Sequence, residues 1–260
     1  MRRIKLIVAY DGSNYSGWQI QPNAKTIEGC LDKAIEDVTG EKIHVIGASR
    51  TDAGVHALGN VAVFDTESRV PGEKFVYALN AHLPADIRVM SSAEVKPDFH
   101  PRHCDTIKEY EYKIINSKVA IPQYRNYAYH VYGELDIDKM REAAGYLCGH
   151  HDFVSFCSVH TQAESTFRTI YSIKVEERNS AYTPLVRDIN EGREREILIR
   201  VSGNGFLYNM VRIIAGTLIG VGKGKYKPSD VKDMLEAKDR RKAGETAIAA
   251  GLTLRGIEYI

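Results

Sequence analysis

The spacing of apolar residues in the first hundred positions constrains the fold more than any other feature of this 260-residue sequence. Apolar residues alternate with polar or small ones from Arg3 to Tyr10, which is typical of a strand with one buried face. After Thr26 they recur at helical spacing, which predicts a helix that Thr26 caps and Gly40 ends. The first forty residues therefore predict a strand, a loop and a helix, in that order.

The same reasoning extends this order to β-α-β-β-α-β. We predict strands at 42–48, 58–64 and 87–95, and a second helix that Pro71 opens. This order is that of a ferredoxin-like unit. The second half has a similar but less regular order of strands and helices. Its predicted strands are 106–115, 127–132, 166–177, 195–202 and 251–259, and we predict an exposed loop at 178–194. Its predicted helices begin after Asp136, near Phe206 and at Pro228.

These elements favour an α+β fold. We expect an N-terminal half, residues 1–103, and a C-terminal half, residues 104–260, each ferredoxin-like. Hairpin-connected strands suggest that the halves share one extended, mostly antiparallel sheet, with helices on one side and a cleft on the other.

Composition argues against several classes of protein. No apolar run is long enough to cross a bilayer, and the chain starts directly with a strand-like segment, so we expect no membrane association and a cytoplasmic location. The formal net charge of +1 argues neither for nor against nucleic acid. One cluster matches no zinc-finger spacing, so we expect no metal site there: Cys148, His150, His151, Cys157 and His160.

The most informative segment is the loop between the second and third predicted strands, residues 47–57, here called the Asp52 loop. It presents Arg50, Asp52 and His56 beside Gly54, which can bend the backbone for a close approach. We regard these three side chains as candidates for chemistry and substrate binding. An Asp in a Gly-containing loop also commonly caps a turn, so composition leaves both interpretations open.

The segment from Arg50 to Ala57, Arg-Thr-Asp-Ala-Gly-Val-His-Ala, resembles the signature loop of the tRNA pseudouridine synthase A family. Further matches follow in order along nearly the whole chain: Tyr10–Gly12, Gly17–Gln19, Phe99–Arg102, Tyr110–Tyr112, His151–Phe156, Gly205–Arg212, Gly216–Leu218 and Gly251–Leu254. Three positions depart from the family pattern, because Ser49, Asn60 and Ile248 stand where we expect Gly, Gln and Pro.

The resemblance implies the pseudouridine synthase fold, with an RNA-binding cleft, and an activity. That activity is the isomerisation of uridine to pseudouridine at positions thirty-eight to forty of the tRNA anticodon stem-loop. It also implies a homodimer with tRNA as substrate. Exchanging an N-glycosidic for a C-glycosidic bond consumes no redox equivalent and no high-energy phosphate, so we expect no cofactor.

The resemblance also assigns roles to residues. Asp52 matches the nucleophile, Tyr110 the aromatic that stacks on the flipped base, and Arg212 the cation paired with the nucleophile. Arg50 matches a residue that helps occupy the space left by that base, and Leu252 an apolar residue that lines the pocket.

Physical arguments support two of these roles and leave alternatives. Arg212 lies in a segment that is apolar on nearly every side, so a buried guanidinium there needs an anion, either Asp52 or another carboxylate. Tyr110 and Tyr112 share one face of a strand, so either one could instead be a core aromatic.

Two other functions remain open at this point. One is a non-catalytic tRNA-binding module on the same scaffold, although simple RNA binding gains nothing from a buried acid. The other is a hydrolase that uses Asp52 with His56, which lacks an evident oxyanion site or metal motif.

Overall fold

The computed structural model describes residues 1–159, 163–179 and 194–260. Two compact units are formed by residues 1–106 with 253–260 and by residues 107–252. Each contains helices and strands, which confirms the α+β class. The expected halves, 1–103 and 104–260, differ from these units because the last strand is grouped with the first unit. The boundaries of independent domains stay a prediction.

The first unit has the predicted ferredoxin-like topology. Its elements are β1 (Arg2–Tyr10), α1 (Ile27–Thr39), β2 (Ile46–Gly47), β3 (His56–Thr66), α2 (Phe75–Asn80), β4 (Ile87–Val95) and, from Thr253 onward, β10 (Leu252–Tyr259). Strand β1 is antiparallel to both β4 and β3, and β2 is antiparallel to the other edge of β3. The order β4-β1-β3-β2 is that of a ferredoxin-like sheet, and β10 adds a short parallel pairing to the start of β3.

Helix α1 begins and ends where the sequence predicts. The Thr26 hydroxyl accepts a hydrogen bond from the Gly29 N–H at 3.2 Å, which satisfies one of the free donors of the first turn. Gly40 ends the helix in the left-handed conformation, at φ 75°. The apolar stripe between these caps is buried: Ile27, Leu31, Ala34 and Ile35.

Strand β2 is much shorter than predicted. Only two residues pair with β3, although the apolar pattern favours a strand from Lys42 to Ala48. The Asp32 carboxylate accepts a hydrogen bond from the Val45 N–H at 2.9 Å and lies 2.6 Å from Nδ1 of His44. Because a side chain from α1 binds this backbone, the sheet pairing starts only at Ile46.

The second unit is built on four antiparallel strands in the order β5-β9-β8-β7. Its elements are β5 (Thr106–Asn116, from Ile107 in this unit), β6 (Tyr129–Val131), α3 (Ile137–Gly145), β7 (Gly149–Asp152), β8 (Phe167–Asn179), β9 (Arg195–Gly203), α4 (Met210–Gly222) and α5 (Asp230–Glu236). The predicted loop at 178–194 lies mostly outside the described residues, at 180–193. Strand β7 was not predicted.

Helix α4 starts four residues later than its apolar pattern predicts. Phe206 precedes the helix, because Asn209 adopts a left-handed conformation at φ 62° and the regular turns start at Met210. The helix packs against α3, whose own first turn is capped by the Asp136 carboxylate. In the described part of the chain, no helix is both long enough and apolar enough to cross a membrane.

Candidate active site

The Asp52 loop ends in a tight turn that leads into β3. The Asp52 carbonyl accepts a hydrogen bond from the Val55 N–H at 3.1 Å, and Gly54 adopts φ 76°, a conformation that a side chain would strain. The Asp52 side chain is half-buried. Because a backbone hydrogen bond closes the turn, the local fold fixes the backbone position from which the Asp52 side chain projects.

The start of the Asp52 loop is tied to the sheet by buried polar groups. The Thr51 and Tyr10 hydroxyls share a hydrogen bond of 2.8 Å. The Asn60 amide, which is fully buried, donates to the Ser49 carbonyl at 2.9 Å and lies 3.3 Å from the Tyr10 hydroxyl. Two of the three departures from the family pattern, Ser49 and Asn60, are thus hydrogen-bonded to each other.

His56 is buried, with 5% of its surface exposed. Its Nδ1 accepts a hydrogen bond from the Gly12 N–H at 3.1 Å and lies 3.2 Å from a carboxylate oxygen of Asp11. The same Asp11 oxygen accepts hydrogen bonds from the Ser13 N–H and hydroxyl. His56 therefore helps to hold the loop, and its contact with a substrate stays a prediction.

Arg50 is exposed, and a second arginine lies near the start of the same loop. Arg102 donates through Nε to the Gly47 carbonyl at 2.7 Å. Burial, and next the positive charge of Arg50, lower the pKa of Arg102. Two neighbouring guanidinium groups suit an anionic ligand such as a phosphate. Sequence reasoning singled out Arg50 but not Arg102, although Arg102 ends one of the matching motifs.

The two tyrosines of β5 differ in their surroundings. Tyr110 is 7% exposed and packs edge-to-face against Phe206, with ring centroids 5.2 Å apart. Tyr112 is fully buried, and its hydroxyl donates to the Ile248 carbonyl at 2.8 Å. Burial raises the pKa of Tyr112, and the nearby Arg212 opposes that rise. Tyr112 is thus a core aromatic, and whether Tyr110 takes part in chemistry stays a prediction.

Arg212 lies in the first turn of α4 and is half-buried. Its Nε donates to the Ala247 carbonyl at 2.8 Å, and its Nη1 donates to the Asn209 side-chain oxygen at 2.7 Å. Both bonds restrict the rotation of the guanidinium group. Leu252, 5% exposed, is the first residue of β10.

The predicted site residues come from both compact units. Arg50, Asp52 and His56 lie in the Asp52 loop of the first unit, and Tyr110, Arg212 and Leu252 lie in the second unit. Their catalytic and binding roles stay predictions.

The described residues contain no group of three or more His, Cys, Asp or Glu side chains that could hold a metal ion. In the sequence cluster of Cys and His, Nε2 of His151 lies 2.8 Å from the Cys148 carbonyl and Nδ1 of His150 lies 3.1 Å from the Thr169 hydroxyl. His160 is outside the described residues.

The ferredoxin-like unit and its carboxylate-bearing loop can be compared with known proteins. A family model described as tRNA pseudouridine synthase matches residues 6–103 and 143–259. The chain is 47% identical to tRNA pseudouridine synthase A of Thermoanaerobacter sp. (strain X514), 49% to that of Ruminiclostridium cellulolyticum and 45% to that of Brevibacillus brevis, with 100% of both chains covered each time. This chain belongs to the tRNA pseudouridine synthase family, whose members are isomerases. The alternative of a non-catalytic module is not supported.

Proposed function

We propose that this chain isomerises uridine to pseudouridine in tRNA, at positions thirty-eight to forty of the anticodon stem-loop. The observation that carries the proposal is the similarity over the full length to proteins named for this activity. The tightly held Asp52 loop supports it, because a carboxylate on a fixed turn is suited to repeated attack at one atom.

In the proposed reaction, Asp52 attacks the uridine as the carboxylate anion, at ribose C1′ or at C6 of the base. The bond that Asp52 forms breaks again before the product leaves, which restores the carboxylate. The bond from ribose C1′ to N1 of uracil breaks, the bond from C1′ to C5 forms, N1 gains a proton and C5 loses one. The resemblance assigns the counter-charge to Arg212, and a guanidinium group favours the ionised form of a carboxylate. Tyr110 supplies a stacking face and a hydroxyl that can relay the C5 proton.

The energetics of base flipping fit an aromatic at this position. Stacking on an aromatic side chain contributes about 1–3 kcal/mol per base. Extruding a base takes on the order of a few kcal/mol, so stacking on Tyr110 offsets much of that cost. Arg50 would occupy the space left in the stem, while Leu252 and His56 would complete the enclosure of the base.

The wider setting is part of the same proposal. We expect a homodimer that contacts one tRNA with both subunits, and a cytoplasmic location, where that substrate is found. Light scattering tests the assembly: a mass twice that of the chain supports it, and the mass of a single chain contradicts it.

The direct test uses the wild-type protein with unmodified tRNA. Pseudouridine is mapped by carbodiimide-blocked primer extension, and new stops are expected in the anticodon arm. A tRNA in which cytidine replaces the target uridines is the matched control and should give none of these stops. An absence of new stops with the uridine-containing tRNA would contradict the proposal.

A further inference from the structure

A second loop, residues 11–18, here called the bracing loop, contacts the Asp52 loop on both sides of Asp52. The Trp18 N–H donates to the Thr51 carbonyl at 3.0 Å, and the Gly54 N–H donates to the Tyr15 carbonyl at 3.3 Å. Thr51 and Gly54 flank Asp52 in the sequence. The backbone of the bracing loop therefore sets the position of the turn that carries Asp52.

Two glycines allow this close approach. A Cβ atom on Gly12 would lie 2.0 Å from the Val55 carbonyl oxygen, and one on Gly17 would lie 2.6 Å from the Thr51 carbonyl oxygen. Gly17 also has φ 90°, which a residue with a side chain rarely adopts. The two loops are thus packed backbone against backbone, so a shift of one requires a shift of the other.

One of the contacts that attach the bracing loop to the scaffold joins the side chains of Tyr15 and Asp86. The Tyr15 hydroxyl, on a side chain only 4% exposed, donates a short hydrogen bond to the carboxylate of Asp86. The Asp86 carbonyl accepts from the Asp11 N–H at 2.9 Å, and Asp86 directly precedes the buried first residue of β4. Burial, and next this hydrogen bond, raise the pKa of Tyr15, so the hydroxyl stays protonated as the donor.

We propose that Tyr15 and Asp86 are positioning residues for the proposed isomerisation, which act on Asp52 through the bracing loop. The chain of contacts runs from the start of β4 through Asp86 to Tyr15, and from the Tyr15 carbonyl to the turn after Asp52. The inference rests on the proposed function. A carboxylate nucleophile loses rate steeply when it is displaced, and a shift of about 1 Å can cost about 100-fold.

The test is single-turnover kinetics on unmodified tRNA with the variant Tyr15→Phe. We expect the rate constant of pseudouridine formation to fall about 10- to 100-fold, while the amplitude of the reaction and the tRNA affinity stay as in the wild type. Asp86→Asn keeps an oxygen that accepts from Tyr15, so its rate constant should fall less. Tyr77→Phe, at a tyrosine of the same unit that is 71% exposed, is the matched control and should change nothing.

The readouts separate positioning from folding. The folded fraction of each variant is measured separately, by circular dichroism and urea unfolding. A merely structural role would lower that folded fraction and leave the rate constant at saturating folded enzyme unchanged. If Tyr15→Phe does not fold, Asp86→Asn, which keeps an accepting oxygen, tests the same contact and should lower the rate constant in the same direction. An unchanged rate constant in the folded variants, or a loss confined to the folded fraction or to the tRNA affinity, would overturn the proposal. A wild-type protein that forms no pseudouridine would instead overturn the proposed function.

Discussion

The two tyrosines of β5 allow a sharp test of which one takes part in chemistry. Replacing Tyr112 with Phe keeps the buried ring and removes only the hydroxyl that donates to the Ile248 carbonyl at 2.8 Å. Such a bond contributes about 0.5–1.5 kcal/mol. Because Ile248 is an exposed residue, water can replace the lost donor, so we expect Tyr112→Phe to lower the free energy of unfolding by about 0.5–1.5 kcal/mol and to leave the rate constant of isomerisation unchanged.

Tyr110→Phe should behave in the opposite way. The ring remains available for stacking, but the hydroxyl that would relay the C5 proton is lost, and general acid–base catalysis typically contributes about 10²- to 10⁴-fold. Urea unfolding and single-turnover kinetics on both variants are the assays. A Tyr112→Phe variant without turnover beside a fully active Tyr110→Phe variant would refute the assignment.

Three further predictions concern stability and binding. Thr26→Ala removes the cap of α1 and should lower the free energy of unfolding by about 1 kcal/mol in urea titrations, whereas Thr26→Ser should not. The paired hydrogen bonds from Arg3 lower the pKa of Asp65, so this pair stabilises the fold above the ordinary aspartate pKa and is lost as the pH falls through the depressed value. The difference in stability between wild type and Asp65→Asn, less than about 1 kcal/mol, should therefore shrink in unfolding titrations below about pH 4; a constant difference contradicts this. The logarithm of the tRNA affinity should fall linearly with the logarithm of salt concentration, and an insensitive affinity would exclude phosphate contacts as its main source.

The sequence predicted those elements whose signals are local. Thr26, Gly40 and Asp136 marked helix ends because capping involves residues within one turn of the helix. Long-range side-chain contacts account for the miss at β2, where Asp32 binds the backbone of Val45.

Two other misses have equally physical causes. The helical pattern continues back to Phe206, but the left-handed Asn209 prevents regular turns before Met210. Strand β7 has the sequence Gly-His-His-Asp, which carries no apolar alternation, and only its pairing with β8 makes it a strand.

The sequence also predicted only part of the candidate site. The Asp52 loop was found because its residue types and its family resemblance coincide. Arg102 and the bracing loop were not assigned roles, because the contacts from Arg102 to Gly47 and from Gly17 to Thr51 join segments that are distant in sequence. A glycine that permits close approach resembles any loop glycine until its neighbour is known.

The central claim is that the Asp52 carboxylate carries out the isomerisation. Mapping of pseudouridine after incubation of tRNA with Asp52→Asn, combined with the tRNA affinity of the same variant, tests it most directly. The account predicts bound tRNA with no pseudouridine, while the matched control Asp65→Asn remains active. Pseudouridine formed by Asp52→Asn at the wild-type rate would contradict it.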